Sequence, residues 1–271
     1  MNNMPQPYRF PDFQVSGSGD TTVFLLHGAY GAKDYFRYQI ATLVQAGLRV
    51  VAWDAPGYGL SPLPEGGLEI ERLGETAGCL IDREGTRTNI VLGHSMGGIT
   101  APAVYAARPD KVHGVIISAT AGSFSQKSPE DQKTFLAERV EPLRAGNTFR
   151  DTAGAVIDSM FAPGSKGPMV DLVREIALST NADTFCAAIT AITLYNGEPN
   201  MKNLKVPTLL LAGAYDKVGR PEAMEGVKTQ FIPHADYFCI PDAGHYAFAE
   251  QPELFNQHLL HFIRERVLAQ R

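Results

Sequence analysis

The pentapeptide Gly93-His94-Ser95-Met96-Gly97 has the form Gly-x-Ser-x-Gly. It follows the apolar run Asn89–Leu92 and opens a stretch of helical character. That strand–turn–helix setting is what gives the pattern chemical meaning. A serine on so sharp a turn carries a strained backbone, so the residues two before and two after it must lack side chains. Gly93 and Gly97 meet that need, and Gly98 lets the helix pack closely. The turn lifts the Ser95 hydroxyl above the sheet, where the helix N-terminus favours negative charge. The plainer reading is a tight glycine-rich turn whose serine caps the helix.

A serine hydroxyl is a weak nucleophile until a base takes its proton, and that base needs a third group to hold it. The histidines are His27, His94, His113, His234, His245, His258 and His261. His245 ends the loop Pro241-Asp242-Ala243-Gly244-His245, directly after the apolar run Tyr237–Ile240. Loops at the carboxyl ends of strands are where an open α/β sheet presents its site. His258 and His261 fall on the C-terminal helical pattern, and the side chain of His94 is expected to diverge from that of Ser95. The acid is sought, like the base, in a loop at the carboxyl end of a strand. The run Leu209–Ala212 leads through Gly213-Ala214-Tyr215 to Asp216. Asp242 is the runner-up, but it stands so close before His245 that a loop-shaping role fits it better. Asp54 precedes the serine and sits in a Pro-Gly turn context. The candidate nucleophile, base and acid are therefore Ser95, His245 and Asp216.

Short apolar runs alternating with longer helical patterns must position these residues, and that rhythm is the signature of a parallel sheet with crossover helices. The strand candidates are Thr22–Leu26, Arg49–Trp53, Asn89–Leu92, Val112–Ser118, Thr208–Ala212 and Tyr237–Ile240. They read as nearly continuous apolar runs, as strands buried on both faces do. Helices are expected over Tyr35–Gln45, Glu69–Arg83, Met96–Ala107 and Pro252–Leu268. The rhythm breaks after Ser118. Ser128-Pro129-Glu130-Asp131 is a helix-start signal, and Pro163-Gly164 and Gly167-Pro168 interrupt the helical pattern further along the chain. A mostly helical insertion, residues 121–203, is expected to cap a core made of residues 1–120 and 204–271.

The chain resembles the α/β-hydrolase superfamily along nearly its whole length. The residues that carry the resemblance are His27-Gly28, Asp54-Ala55-Pro56-Gly57-Tyr58-Gly59-Leu60-Ser61, the turn at Ser95, Asp216 and Gly244-His245, in that order. The resemblance implies an α/β-hydrolase fold: a mostly parallel central sheet flanked by helices, with a helical cap inserted after the sixth strand. It implies an oxyanion hole from the amides of Met96 and Ala29, with Tyr30 as the alternative to Ala29, because acyl transfer builds charge on the carbonyl oxygen. Tyr30, Tyr246, Phe124 and Phe161 are candidate pocket residues.

Departures prune the superfamily. Serine at the nucleophile position argues against the haloalkane dehalogenase and epoxide hydrolase branches, which use aspartate. Carbon–carbon hydrolases of aromatic degradation often carry Asn before the serine and Trp after the histidine, where this chain has His94 and Tyr246. Prolyl aminopeptidases usually show a Gly-Gly-Ser-Trp-Gly turn, which is absent here. The resemblance that remains is to small carboxylesterases and enol-lactonases, with an ester or lactone of small to medium size as substrate. The alternatives are a carbon–carbon hydrolase, a cofactor-free oxygenase and a hydrolase-derived small-molecule receptor.

Composition bounds the rest. The 271 residues can bury a sizeable core, and 24 Lys+Arg against 29 Asp+Glu give a net charge of -5. Nucleic acid and anionic membrane surfaces want a basic face, so neither is an expected partner. The expected partners are a small-molecule substrate and water, with the chain a monomer or homodimer. No cofactor is expected, since no metal cluster, phosphate loop or dinucleotide fingerprint accompanies the candidate residues. Cys79, Cys186 and Cys239 stand far apart and read as buried thiols in a reducing compartment. The N-terminus lacks the basic and apolar regions of a secretory signal, so a cytoplasmic location is expected.

Overall fold

The computed structural model describes residues 6–120 and 128–269. Its strands are β1 (Phe13–Ser16), β2 (Thr21–Leu26), β3 (Arg49–Trp53), β4 (Thr88–His94), β5 (Gly114–Ser118), β6 (Thr208–Gly213) and β7 (Asp236–Ile240). They form one sheet in the order β1-β3-β2-β4-β5-β6-β7. β1 runs antiparallel to β3, and the other pairings are parallel. The strand order reverses beside β2, with β3 on one flank and β4 on the other. The carboxyl edge at such a reversal is where α/β sheets open a crevice.

The core helices follow from apolar spacing. α1 (Arg37–Gln45) and α2 (Ile70–Glu84) precede β3 and β4. α2 buries Ile70, Leu73, Ala77, Leu80 and Ile81, spaced as a helical stripe. α3 (Met96–Ala107) begins directly after Ser95, and its buried face includes Ile99, Ala101 and Val104. The central strands β2, β4, β5 and β6 are buried along their whole length. Their Val, Ile and Leu side chains pack against helices on both faces, which fits an apolar sequence without alternation.

Between β5 and β6 lie α4 (Pro129–Arg144), α5 (Phe149–Met160), α6 (Pro168–Leu178), α7 (Ala182–Leu194) and α8 (Glu198–Lys202). Ser128 Oγ accepts from the Asp131 amide and Pro129 occupies the first turn, so the helix-start signal is realised. α5 ends before Pro163-Gly164, and α6 starts at Pro168.

This helical stretch follows the fifth strand rather than the sixth. A single strand, β1, precedes the first parallel strand among the described residues. The segment before β1 carries Pro7 and Pro11, which cannot donate to a ladder. It packs on α2 instead: the Tyr8 amide donates to Thr76 Oγ1 at 2.9 Å, and the Arg72 guanidinium sits 4.0 Å over the Tyr8 ring. The chain closes with α9 (Pro221–Gln230), α10 (Ala247–Glu250) and α11 (Pro252–Phe262), the last running on into a π-helical turn over Ile263–Leu268. The three cysteines are unpaired; Cys79 and Cys186 are half-buried. Cys239 is exposed, against the expectation of a buried thiol, because it lies on the edge strand β7.

Candidate active site

The turn after β4 has the strain that its sequence implies. Ser95 sits at φ 55° and ψ −114°, in backbone territory that residues with side chains rarely visit. The glycines make that turn possible. A Cβ on Gly93 would lie 2.0 Å from the Gly97 carbonyl oxygen, and one on Gly97 would lie 2.1 Å from that of Leu26. The Ser95 amide donates to the Ser118 carbonyl at 2.9 Å, which ties the turn to the end of β5. Met96 opens α3, so its N–H is one of those without an intrahelical acceptor.

The loop after β2 lies against the serine. A Cβ on Gly28 would meet the Ser95 Cβ at 2.9 Å. His27 anchors this loop: Nδ1–H donates to the Gly28 carbonyl at 2.8 Å, and Nε2 accepts from the Ala55 amide at 2.9 Å. The neutral ring satisfies both bonds, and burial pushes its pKa down. The Tyr58 hydroxyl donates to the Ala29 carbonyl at 2.9 Å, fixing the peptide that precedes Tyr30. The aromatic ring of Tyr30 meets Phe185 of α7 at 4.8 Å and Phe149 of α5 at 5.9 Å, centroid to centroid. Burial raises its phenol to about 12.

His245 and Asp216 form a buried pair, with Nδ1 and Oδ2 2.9 Å apart. Asp216 Oδ1 accepts from the amides of Val218 at 2.7 Å and Gly219 at 2.9 Å. Burial alone would raise this carboxyl; the His245 charge and hydrogen bond, with the two amides, outweigh it and hold the pKa below the ordinary value. Because Nδ1 is engaged by the acid, Nε2 is the ring nitrogen left for a hydroxyl or a substrate. Asp242 does not share this geometry. It is exposed at φ 52°, and its carbonyl accepts from Gln251 Nε2 at 3.2 Å, so it shapes the loop. Asp54 belongs to another structure altogether: it accepts from the Lys33 amide at 2.9 Å and pairs with Lys33 Nζ.

The His94 side chain turns onto His245. The two rings are 4.8 Å apart, and Tyr246, Phe248 and Tyr35 surround His94 on its other sides. Among the described residues neither ring nitrogen of His94 has a hydrogen-bond partner. Burial, then the neighbouring His245 and His27, push its pKa far down, so the ring is neutral. Tyr246 is fully buried, edge-on to His245, and its hydroxyl reaches the Met160 sulfur at 3.7 Å. The Phe161 ring lies 5.0 Å from that of Tyr246, tilted by 35°. Phe124 lies outside the described residues. His113, His234 and His258 contact Asn89, Val206 and Phe238, away from these loops.

Sequence reasoning passed over Glu250. Its Oε1 accepts from the amides of Gly244 at 3.0 Å and Tyr246 at 3.1 Å. Its Oε2 accepts from the Ala162 amide at 2.7 Å and from Ser165 Oγ at 2.6 Å. An acidic residue closely following the histidine was the available signal. Among the described residues no group of His, Cys, Asp and Glu is arranged to hold a metal ion, and no helix is long and apolar enough to cross a membrane.

A parallel sheet with a strained serine turn on its carboxyl edge and a His–Asp pair on the neighbouring loops is the architecture of a hydrolase. The chain belongs to the alpha/beta hydrolase family, whose model matches residues 23–258. A thermophilic esterase from Thermogutta terrifontis, solved with malate bound, aligns with a TM-score of 0.83 and 26% identity, covering 94% of this chain and 93% of that one. A Mycobacterium tuberculosis protein assigned as a non-heme bromoperoxidase is 26% identical over 262 residues, covering 92% of this chain and 96% of the relative. A 2-hydroxy-6-oxononadienedioate/2-hydroxy-6-oxononatrienedioate hydrolase of Cupriavidus pinatubonensis is 26% identical over 266 residues, covering 92% of this chain and 88% of the relative. Relatives at the same identity carry different named activities, so likeness alone does not choose a substrate.

Proposed function

We propose that this protein hydrolyses a carboxylic ester or lactone of small to medium size through an acyl-enzyme on Ser95. The observation that carries the reading is the buried His245–Asp216 pair, engaged through Nδ1, on loops beside a serine held at φ 55°. Ser95 Oγ attacks the carbonyl carbon while His245 Nε2 takes its proton. Asp216 holds the ring in the tautomer that leaves Nε2 free and stabilises the imidazolium. The amides of Ala29 and Met96 receive the oxyanion. His245 then protonates the leaving alkoxide, and later takes a proton from the water that releases the acid. In a lactone the leaving alkoxide stays tethered to the acyl group.

Residues 121–203 act in this reading as a cap on a core of residues 1–120 and 204–271. The Tyr30, Phe149 and Phe185 rings bring the α5 and α7 helices against the oxyanion loop, which supports an apolar acyl pocket there. The unpaired thiols suit a reducing compartment such as the cytoplasm.

The test is steady-state hydrolysis of p-nitrophenyl esters from acetate to octanoate by the wild type and Ser95→Ala. Turnover that Ser95→Ala abolishes without loss of folding is the expected result. Equal turnover by the variant, or none by folded wild type across the ester series and a set of simple lactones, overturns the reading.

A further inference from the structure

The histidine loop is held from outside the triad, and by the inserted helices. The His245 amide donates to the Met160 carbonyl at 2.7 Å, so the backbone of the base is bonded to the end of α5. Gly244 is pressed on the same segment: a Cβ there would lie 2.3 Å from the Met160 oxygen and 2.7 Å from the Ala162 nitrogen. Glu250 sits between the two segments. One carboxylate oxygen takes the amides on either side of His245, Gly244 and Tyr246. The other takes the Ala162 amide and the Ser165 hydroxyl. A cleft of about 510 Å³ is lined by residues 161–165 together with Asp158, Arg174 and Tyr215.

We propose that Glu250 is a positioning residue that fixes His245 to the inserted helices, so that the placement of the base depends on where the segment Met160–Ser165 sits. The inference rests on the reading of His245 as the general base. A carboxylate is the group the geometry requires, because four donors converge on two oxygens. Glutamine offers one oxygen, and its NH2 would face donors on whichever side the oxygen does not serve. Misplacing a catalytic group by about 1 Å can cost about 100-fold in rate.

The experiment compares wild type, Glu250→Gln and Ser165→Ala. It reads kcat and KM with p-nitrophenyl butyrate, the rate of Ser95 labelling by an alkyl fluorophosphonate, and amide hydrogen exchange in peptides spanning residues 160–165 and 243–247. Glu250→Gln is expected to lower kcat and the labelling rate about 100-fold with little change in KM, and to speed exchange in both peptides. Ser165→Ala cuts one bond on the helical side only, and is expected to speed exchange at 243–247, which it does not touch. Wild-type kcat and labelling in Glu250→Gln overturn the positioning role. Unchanged exchange at 243–247 in Ser165→Ala overturns the coupling, and decides the matter if Glu250→Gln does not fold. A wild type that neither turns over esters nor labels at Ser95 refutes the proposed reaction instead, and the exchange arm still tests the tether.

Discussion

Replacing Asp216 by Asn tests the site at its most constrained point. The substitution keeps the shape, so the fold should survive, but it turns one carboxylate oxygen into an NH2. Which oxygen is replaced is not a free choice. Oδ1 receives the Val218 and Gly219 amides at 2.7 and 2.9 Å. Placing the NH2 there would leave the buried Gly219 amide without an acceptor, at about 1–3 kcal/mol, and would also break the bond from the more exposed Val218 amide. The Asn oxygen therefore stays on those amides, and its NH2 faces His245 Nδ1. That nitrogen must then accept, which moves the ring proton to Nε2. Histidine in that tautomer cannot take a proton from Ser95. The expected fall in kcat is about 10⁴-fold, or about 5.5 kcal/mol of barrier. Burst kinetics with p-nitrophenyl butyrate would place the loss in acylation. A folded Asp216→Asn variant that keeps more than about a tenth of wild-type kcat would refute the argument, and Asp242→Asn would be the next variant to make.

Two further outcomes are expected from the geometry. Gly93→Ala puts a Cβ about 2.0 Å from the Gly97 carbonyl, so the turn cannot close; activity should vanish and stability should drop by about 3 kcal/mol or more in urea unfolding. His94 is buried neutral with a lowered pKa, so the unfolded chain binds a proton there that the folded chain does not. Its stabilising contribution is present above the unfolded value near 6.5 and is lost as pH falls toward the folded value, at up to about 1.4 kcal/mol per pH unit. His94→Phe should flatten the fall in stability between pH 7 and pH 5, and an unchanged slope in urea titrations would count against the buried neutral ring.

Much of this was legible because it rests on periodicity and on glycine. The Asn89–Leu92 run, the turn and the Met96–Ala107 helix are found where the sequence puts them. β1 was missed because four half-exposed residues, Phe13-Gln14-Val15-Ser16, carry too little pattern, and pairing with β3 is what makes them a strand. α9 was missed because its buried apolar residues are limited to Met224 and Val227. The signal for Glu250 was slight, an acidic residue shortly after His245, since its partners Ala162 and Ser165 are far away in sequence and offer a main-chain amide and a common hydroxyl. His94 was read by its direction from Ser95, and nothing in the sequence places the His245 ring against it.

The legible contacts share a cause. The loops after β2, β4, β6 and β7 meet main chain to main chain, where no Cβ fits. Gly97 lies under the Leu26 carbonyl, and a Cβ on Gly213 would stand 2.0 Å from the Gly244 oxygen. The amides of Ala214 and Tyr215 donate to Ile240 and Ala243, which joins the acid loop to the histidine loop before any side chain is considered. Such contacts restrict single positions to one residue type, and so they leave a spacing in the sequence. Side-chain contacts restrict far less: several flat rings could lie against His245 where His94 does, and several apolar side chains could fill the place of Phe185 beside Tyr30. A frame held by backbone can keep the geometry of serine, histidine and aspartate while the side chains above it are exchanged. That fits relatives at one level of identity that carry different named activities.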